Sequence, residues 1–546
     1  MNFFYLWDSL GKTISQSLNA LGFDVLKEEI QFEIPKERSL GDLSTNIALK
    51  LSRLAKQNPQ QLAEDILKVL QPRIEEEFAS VIDKIFQKNG FINFSLKNEY
   101  YYQCLKELLI KQKDFFKIRA PKDSVRVLVE FVSANPTGPL SVAHARQAAV
   151  GDILANVLKE LGYKVKKEYY INDEGVRIDL LGKSVEARFK ELKGEKADFP
   201  QDGYLGDYVY EIASQMLEQK LDKGFREYAV DFILNDIKKD LKDFGVEFDS
   251  WISQRQLMQN KSIERVLSFL KKKGLIYEEQ GAIWFKSTLL GDDKDRVLRK
   301  KDGSYTYFAA DIVYHQNKYK RGFDWLINLW GPDHHGYIGR MKACIQALGK
   351  NPRSLSVIIV QLVTLLREGK VVPMSTRRAN YVTLREILDE VGKDAGRFFF
   401  ITRRTDSHLD FDLALAKKQL PQNPVYYIQY AYARINSIFL KENNIINLEP
   451  KKINYALLKE EEEIQLLRTI NEFGLHLNIV LRTLDPYMLS VYLQKLAEDF
   501  HRFYDRHRIL SEDEQLRTAR LALAKGSFLV LSKGLKLLGI SLPEKM

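Results

Sequence analysis

The stretch from Val125 to Lys159 constrains the fold most, because it predicts a buried strand, a sharp turn and a long helix in immediate succession. Residues 125–132 (VRVLVEFV) form an apolar, β-branched run, which is typical of a buried parallel strand. The run stops at Asn135–Pro139 (NPTGP), which suits neither a strand nor a helix. An amphipathic helical pattern begins near Leu140. A strand, turn and helix start of this kind is where α/β folds bind phosphates.

Three polar side chains lie on or beside this turn, namely Asn135, Ser141 and His144. A histidine one turn into such a helix can donate a hydrogen bond to a phosphate whose negative charge grows in a transition state. An ordinary strand–helix loop with a hydrogen-bonded histidine has the same local pattern. The stretch by itself therefore leaves both interpretations open.

Size and charge set broad limits on the protein. A chain of 546 residues is long enough for about three or four domains. The net charge of +10 fits a polyanionic partner such as a nucleic acid, and equally a lysine-rich composition in general. Cys104 and Cys344 are the only cysteines, so neither a disulfide framework nor a cysteine zinc site is expected. We find no signal peptide and no apolar run of about 18 residues, which predicts a cytoplasmic protein without a membrane span.

Changes of pattern divide the chain into three predicted domains. Residues 1–115 mix helical periodicity with alternating strand patterns near 30–34 and 91–95, which predicts a small α+β domain. Residues 116–420 alternate apolar runs with helices, as in a parallel, doubly wound α/β sheet; a charged helical insertion is expected around 183–270. Residues 421–546 contain few Gly or Pro and predict an all-α helical bundle.

Polar clusters follow several of the predicted strands. Strand 164–171 runs into Asn-Asp-Glu-Gly at 172–175, and strand 325–330 ends at GPDHHGY, residues 331–337. Such clusters at the carboxyl ends of parallel strands favour a ligand site. A strand over 357–365 leads to a hairpin turn at 367–370. The following loop, 373–378 (PMSTRR), is either a triphosphate-binding loop or a solvated basic loop.

Taken together, these segments resemble a class I aminoacyl-tRNA synthetase, and specifically the arginyl-tRNA synthetase family, over nearly the whole chain. Residues 133–146 (SANPTGPLSVAHAR) resemble the family's "HIGH" signature, and 373–384 (PMSTRRANYVTL) resemble its "KMSKS" loop. The segments YINDEG, YTYFAADIVYH, WGPDHHGY and NPVYYIQYAYARI resemble arginine-type blocks. GDLSTNIALKL resembles the N-terminal domain that touches the tRNA elbow, and the last 30 residues resemble the anticodon-binding domain.

The resemblance implies ATP-dependent ligation of L-arginine to tRNA(Arg) through arginyl-adenylate, with release of AMP and pyrophosphate, on a Rossmann-type catalytic domain. A guanidinium is best held by planar carboxylates, and Tyr307 and Asp311 are four residues apart, which places them on one helix face. The resemblance assigns arginine binding to Glu130, Asn135, Tyr307, Asp311 and His334. It assigns catalysis to His144, with Ser141 in the first motif position, and ATP binding to Ala134, Pro136, Thr137, Gly138, Pro139, Leu140, Val142, Ala143, Asp333, Met374 and Ser375. Lys370, Arg377 or Arg378 is expected to supply the positive charge that the family's second signature takes from lysines.

ATP is expected as a substrate accompanied by Mg²⁺, without a dedicated metal site in the protein, and the enzyme is expected to be a monomer. Ser141 and Ala143 stand where the family usually has His and Gly, and Pro373 and Thr376 stand where it has lysines. These departures support a second hypothesis, a catalytically weakened or inactive tRNA-binding paralogue. A class I synthetase for cysteine or glutamine is a third, which the acidic residues Glu130 and Asp311 disfavour.

Overall fold

The computed structural model of the chain describes residues 3–116, 125–220, 224–372, 381–441 and 448–546. Its N-terminal part is a small α+β unit whose antiparallel sheet has the strand order β1-β2-β4-β3. The elements are α1 (Phe3–Ala20), β1 (Phe32–Glu33), β2 (Leu43–Thr45), α2 (Ile47–Ala55), α3 (Pro59–Glu77), β3 (Ile82–Lys88), β4 (Phe91–Leu96) and α4 (Asn98–Lys111). The strand at residues 43–45 is not among the strand patterns predicted for this domain, which lie near 30–34 and 91–95.

The central part is an α/β unit built on a parallel sheet. Its elements are β5 (Arg126–Glu130), α5 (Val142–Glu160), β6 (Lys164–Ile171), α6 (Val176–Leu192), α7 (Asp207–Glu218), α8 (Phe225–Asp243), β7 (Ser250–Ser253), α9 (Gln254–Met258), α10 (Ser262–Lys272), β8 (Ile276–Glu279), β9 (Ala282–Phe285), β10 (Arg296–Arg299), α11 (Tyr307–Lys320), β11 (Trp325–Trp330), α12 (Ile338–Ala347), β12 (Leu355–Ile359), β13 (Val363–Arg367), β14 (Lys370–Val371), α13 (Leu384–Phe399), β15 (Leu409–Asp412) and α14 (Leu413–Lys417).

The parallel sheet has the order β12-β11-β5-β6-β7. The chain moves outward from β5 through β6 to β7, and later adds β11 and β12 on the opposite side of β5. The strand order therefore reverses beside β5, and open α/β sheets bind ligands at such a switch point, outside the carboxyl ends of the strands. Strands β8–β10 form a separate antiparallel sheet, and β13–β15 form another.

Three details of the central part differ from the sequence predictions. The predicted helical insertion contains a strand, β7, which is the edge of the parallel sheet. The single strand predicted over 357–365 is wrong, because β12 and β13 belong to different sheets. Strand β5 ends at Glu130, since Val132 and Ser133 have left-handed backbone conformations with φ of 65° and 42°. The hairpin predicted at 367–370 is confirmed by the antiparallel pairing of β13 with β14.

The C-terminal part is a helical bundle, as the sequence predicts. Its helices are α15 (Pro424–Lys441), α16 (Glu461–Asn471), α17 (Phe473–Thr483), α18 (Tyr487–Arg506) and α19 (Glu514–Leu538). The bundle packs against the central part where the buried Arg397 of α13 donates to the Leu538 carbonyl at 2.7 Å and to Asp152 of α5 at 2.6 Å. Within the described ranges, we find no helix with the length and apolarity needed to cross a membrane.

Candidate active site

A cavity of about 600 Å³ lies at the switch point of the parallel sheet. It is bordered by the carboxyl ends of β5, β6 and β11 and by helix α11. The sequence-predicted residues that line it are Glu130, Ala134, Asn135, His144, Tyr307, Asp311, Asp333 and His334. Residues far apart in sequence thus meet in one chamber, because parallel strands place their carboxyl ends at one edge of the sheet.

The turn that precedes α5 is held by two tyrosines. The hydroxyl of Tyr208 donates to the Thr137 carbonyl at 2.7 Å, and the hydroxyl of Tyr381 donates to the Pro139 carbonyl at 3.0 Å. A Cβ atom on Gly138 would lie only 3.1 Å from the Tyr208 oxygen and 3.3 Å from the Tyr381 oxygen. Glycine therefore lets both tyrosines close on the backbone of the turn.

The two signature segments are joined by backbone hydrogen bonds. The N–H of Val142 donates to the Val382 carbonyl at 3.1 Å, and the N–H of Leu384 donates to the Leu140 carbonyl at 2.7 Å. The chain that leaves the second signature is therefore fixed against the start of α5. The predicted residues Met374, Ser375 and Arg377 of that signature lie outside the described residues.

His144 lies in the first turn of α5 and presents a defined tautomer. The N–H of Ser141 donates to its Nδ1 at 3.1 Å, and the Ser141 hydroxyl is also 3.1 Å from Nδ1. A backbone N–H can only donate, so Nδ1 accepts and the ring proton is on Nε2. Burial lowers the pKa of His144 to about 4. At neutral pH the ring is therefore uncharged and offers one donor, Nε2–H, beside a helix N-terminus that favours anions.

Several other residues predicted around the first signature do not line the cavity. Leu140 and Val142 are buried in the core, while Pro136 and Ala143 lie in the turn and the first turn of α5 without lining the cavity. Lys370 is exposed in the β13–β14 hairpin. Of the predicted residues that the structure describes, those assigned to arginine meet in the cavity, whereas Lys370 does not line it.

Asp311 is the acidic group most changed by the cavity. Burial raises its pKa from the usual 3.8 to about 6, and the nearby Glu130 carboxylate adds to the rise, while a hydrogen bond from Tyr337 opposes it. The Tyr337 hydroxyl donates to Oδ2 of Asp311 at 2.6 Å. Among the described residues Asp311 forms no ion pair. A carboxylate held this way is suited to a cationic ligand.

Glu130 lies at the end of β5, and its environment is different. Its Oε2 pairs with the ammonium of Lys318, which is completely buried. The Ser133 hydroxyl donates to Oε1 at 3.4 Å. The two acidic residues that the sequence assigns to arginine are therefore not equivalent, since one already has a cationic partner and the other does not.

The cavity entrance carries the more exposed predicted residues. Tyr307 begins α11 with 65% of its surface exposed, and its hydroxyl lies near Gly175. His334 and Asp333 are both exposed, with Nε2 and Oδ2 3.4 Å apart. Tyr307 and Asp311 lie on one helix, as predicted from their spacing.

Sequence reasoning did not identify several lining residues, among them Tyr170, Asn172, Gln254, Asn328 and Tyr337. Asn172 follows β6 in the block that the sequence highlights, so its position at a strand end could have indicated it. Its buried Oδ1 accepts no hydrogen bond from the described residues, which suits a donor on a ligand. Tyr170 stacks on Tyr314 with the ring centroids 4.4 Å apart.

A strained turn positions the wall of the cavity next to β5. Ser133 N–H donates to the Phe131 carbonyl at 2.9 Å, which closes a three-residue turn around Val132. A β-branched residue at φ of 65° is an outlier that costs about 1–3 kcal/mol. The Ser133 hydroxyl accepts from the Tyr170 N–H at 3.1 Å, so the turn ties Glu130 to strand β6.

A second candidate surface lies on the bundle, where α15 meets α18. Arg434 lies over the rings of Tyr430 and Tyr504, with its guanidinium carbon 4.6 and 4.5 Å from the two centroids. Tyr430 also stacks on the His501 ring and on the Tyr426 ring, with centroid distances of 5.6 and 6.2 Å. Aromatic rings and an arginine at a partly exposed surface suit unpaired nucleobases.

Three family descriptions match consecutive parts of the chain. Residues 8–96 match "Arginyl tRNA synthetase N terminal domain", residues 104–404 match "tRNA synthetases class I (R), catalytic domain", and residues 428–546 match "DALR anticodon binding domain". The cavity described above lies within the second range, and the aromatic surface on α15 and α18 lies largely within the third.

Similar proteins agree with these matches. The chain is 43% identical over 541 residues to an arginine--tRNA ligase of Carboxydothermus hydrogenoformans, covering 96% of each chain. It is 43% identical to that of Bacillus subtilis, covering 96% of this chain and 99% of the relative. The solved arginyl-tRNA synthetase of Thermus thermophilus, 20% identical, shares the fold with a TM-score of 0.78 over 99% of this chain and 100% of that chain. The protein therefore belongs to the arginyl-tRNA synthetase family of class I aminoacyl-tRNA synthetases.

Proposed function

We propose that this enzyme ligates L-arginine to tRNA(Arg) through arginyl-adenylate. The arginine carboxylate attacks the α-phosphate of ATP and releases pyrophosphate, and the arginyl group then passes to the terminal ribose of the tRNA with release of AMP. One observation carries the proposal: the unpaired carboxylate of Asp311 and the neutral donor of His144 line the same cavity. The first suits a guanidinium and the second suits a phosphate.

Arginine is proposed to lie with its guanidinium toward Asp311 and Glu130 and with its backbone end toward the turn before α5. Asp311 supplies a planar acceptor that can take two parallel N–H bonds. Asn135, Tyr307 and His334 complete the proposed arginine site. The adjoining walls carry the aromatic side chains of Tyr170, Tyr314 and Tyr337. The arginine side chain would therefore displace most of the water there, which strengthens the attraction between opposite charges.

ATP is proposed to lie along the turn at the start of α5, formed by Ala134, Pro136, Thr137, Gly138, Pro139, Leu140, Val142 and Ala143, with Asp333 toward the ribose. His144 would donate from Nε2 to the α-phosphate as its charge develops. Ser141 fixes this tautomer through its N–H, although it stands where the family usually has His. Lys370, Arg377, Met374 and Ser375 are proposed to act on the outer phosphates.

Magnesium is proposed to enter with ATP as the counter-ion of its phosphates. In the described part of the chain, no group of three or more His, Cys, Asp and Glu side chains is placed to hold a metal ion. The protein's own residues are proposed to act by positioning the substrates and stabilising charge, without a covalent enzyme intermediate.

The tRNA is proposed to contact both ends of the chain. The aromatic surface around Tyr430 and Arg434 would stack on unpaired bases of the anticodon, and the N-terminal unit would contact the elbow. We retain the boundaries 1–115, 116–420 and 421–546 for the three domains as proposals. Because tRNA charging takes place where ribosomes work, we also propose that the enzyme acts in the cytoplasm, as a monomer.

The alternatives receive no support from the structure. A paralogue that only binds tRNA would not need a cavity lined by both Asp311 and His144. A synthetase for cysteine or glutamine has no use for an ionised carboxylate at the inner end of the pocket, because neither side chain is a cation.

The test is arginylation of tRNA by the wild type and by His144→Ala. Loss of the Nε2 donor is expected to lower kcat about 10²–10³-fold while arginine binding persists. His408→Ala, which changes an exposed histidine outside the cavity, is the matched control and is expected to charge tRNA normally. A wild type that binds tRNA without arginylating it would refute the proposed function and favour the paralogue.

A further inference from the structure

Lys318 is a buried cation beside a pocket that is proposed to bind a cation. Its side chain is completely buried, and lysine is almost never buried without partners. The ammonium pairs with Glu130, donates to Oδ1 of Asn328 at 3.2 Å and lies 4.2 Å from the centre of the Tyr314 ring. Three walls of the pocket, from β5, β11 and α11, therefore meet at this one atom.

The sheet register explains why these groups meet. Glu130 of β5 pairs with Asn328 of β11 on one side and with Glu168 of β6 on the other. Two carboxylates thus lie side by side on neighbouring strands, directly behind the pocket. Their repulsion would be large in such a dry place unless each had its own cation.

Each of these two carboxylates has its own cation. Glu168 is bonded by both terminal nitrogens of Arg321, at 2.5 and 2.8 Å, and also accepts from the hydroxyls of Tyr314 and Ser250. Glu130 has Lys318. Both cations come from the last turns of α11 or the residue that follows it. The two pairs together carry no net charge.

Asp311 is the remaining acidic group on the inner wall. Its carboxylate accepts from the Tyr337 phenol, and Arg340 lies across the ring of that tyrosine, 4.4 Å from its centre. His315, whose Nδ1 donates to the Asp311 carbonyl at 2.9 Å, is kept neutral because burial moves its pKa well below the usual value. Glu130 and Glu168 are thus paired one to one with Lys318 and Arg321, whereas Asp311 forms no ion pair among the described residues. The charge of Arg340 also favours the ionised form of Asp311, but its guanidinium lies over the Tyr337 ring.

We propose that Lys318 is a positioning residue that neutralises Glu130 and so leaves Asp311 as the carboxylate of the inner pocket without an ion pair, the complement of a single guanidinium. This inference rests on the proposed function, because it takes arginine as the ligand. It implies that Asp311 supplies the attraction for the cation, whereas Glu130 acts mainly by cancelling Lys318. Specificity then comes from a charge count as well as from shape.

Rescue of Glu130→Gln by a second substitution at Lys318 distinguishes this arrangement from a pocket in which both carboxylates bind the guanidinium directly. Glu130→Gln removes one carboxylate and leaves Lys318 as an uncompensated cation close to the guanidinium. Like charges about 10 Å apart, at an effective dielectric constant of about 20, weaken binding by roughly tenfold or more. Adding Lys318→Met to Glu130→Gln restores the net charge of the wild-type pocket, so arginine affinity should recover by about tenfold.

The experiment measures the affinities of L-arginine, of L-citrulline and of ATP for the wild type, Glu130→Gln, and Glu130→Gln/Lys318→Met by calorimetry. Citrulline is the matched probe, because it has the shape of arginine but no charge on its side chain. The preference for arginine over citrulline should collapse in Glu130→Gln and return in the double variant. If the double variant binds arginine no better than Glu130→Gln, the inference is overturned.

Two controls separate the possible failures. The first control is ATP affinity, which should be unchanged in every variant that folds. The second is Glu130→Gln/Lys318→Gln, which replaces Glu130→Gln/Lys318→Met if that variant does not fold, because glutamine can still hydrogen-bond to Asn328. A wild type that neither binds arginine nor charges tRNA with it refutes the proposed function. A wild type that does both, with no rescue in either double variant, refutes only the role of Lys318.

Discussion

Replacing Asp311 by Asn should remove arginine binding and at the same time stabilise the empty enzyme. The amide is nearly isosteric with the carboxylate, and its oxygen can still accept from Tyr337, which donates at 2.6 Å in the structure. What changes is the charge. The carboxylate is costly in the empty cavity because burial and the nearby Glu130 both disfavour its ionised form.

The size of this cost follows from the pKa. A carboxyl with a pKa of about 6 in the folded protein and 3.8 in the unfolded chain destabilises the folded state by about 3 kcal/mol when ionised at pH 7. Between these two pKa values the folded protein binds more protons at Asp311 than the unfolded chain does. Rising pH therefore lowers stability across pH 4–6, and falling pH restores it. Asp311→Asn removes this dependence.

The assay is thermal unfolding of the wild type and Asp311→Asn between pH 4 and pH 8, with and without L-arginine. At pH 7.5 and without arginine, the variant should melt several degrees higher, and the difference should shrink toward pH 4. Arginine at 100 times its dissociation constant stabilises the wild type by about 2.7 kcal/mol and should leave the variant unchanged. Asp83→Asn, an exposed position on β3, is the matched control and should change stability by less than about 0.5 kcal/mol.

Two results would refute this reasoning. A variant that melts at or below the wild-type temperature at pH 7.5 would show that the ionised carboxylate is not a cost in the empty pocket. A stability difference that does not vary with pH would show that it does not arise from the ionisation of Asp311. Either result would contradict the claim that the ionised Asp311 carboxylate destabilises the protein when no arginine is bound.

The remaining predictions concern the core of α5 and the aromatic surface on α15 and α18 that is proposed to bind tRNA. Gly151→Ala should lower the free energy of unfolding by about 1–3 kcal/mol, because the added Cβ would lie 2.3 Å from Cγ of Phe131; a denaturation curve equal to that of the wild type would contradict this contact. Arg434→Ala should weaken tRNA binding and flatten its dependence on salt by about one unit of log–log slope, because it removes a positive charge that can contact a phosphate beside the stacked bases, whereas Tyr504 can only stack. Tyr504→Ala should weaken binding with the slope unchanged; equal slopes for both variants would refute the division of roles.

The sequence predicted the elements that a local pattern can specify. The strand and helix around the turn at 135–139, strand β6, strand β11 and the helices after residue 421 were all predictable, because the spacing of apolar residues reports which face of an element is buried. The hairpin at 367–370 followed from its turn residues. Tyr307 and Asp311 were placed on one helix face by their spacing alone.

Local pattern could not divide residues 355–367 between two sheets, since β12 (LSVII) and β13 (VTLLR) are both mostly apolar and are separated by the sheets that they join. It also could not identify β7, because four residues are too few for a strand pattern and this segment becomes a strand by pairing with β6. The end of β5 at Glu130 depends on the left-handed backbone at Val132 and Ser133, which no preference of these residue types favours. These features come from long-range contacts.

The site shows the same division between sequence and tertiary structure. Motif resemblance predicted from the sequence that Glu130, Asp311 and His144 belong to one site, and the structure places all three on the wall of one cavity. Only the tertiary structure decided which carboxylate is neutralised, since Lys318 meets Glu130 across 188 positions of the chain, whereas Asp311 meets a phenol. A charge acquires its pKa and its role from its neighbours in space, and strand order, which brings those neighbours together, is not contained in any local pattern of residues.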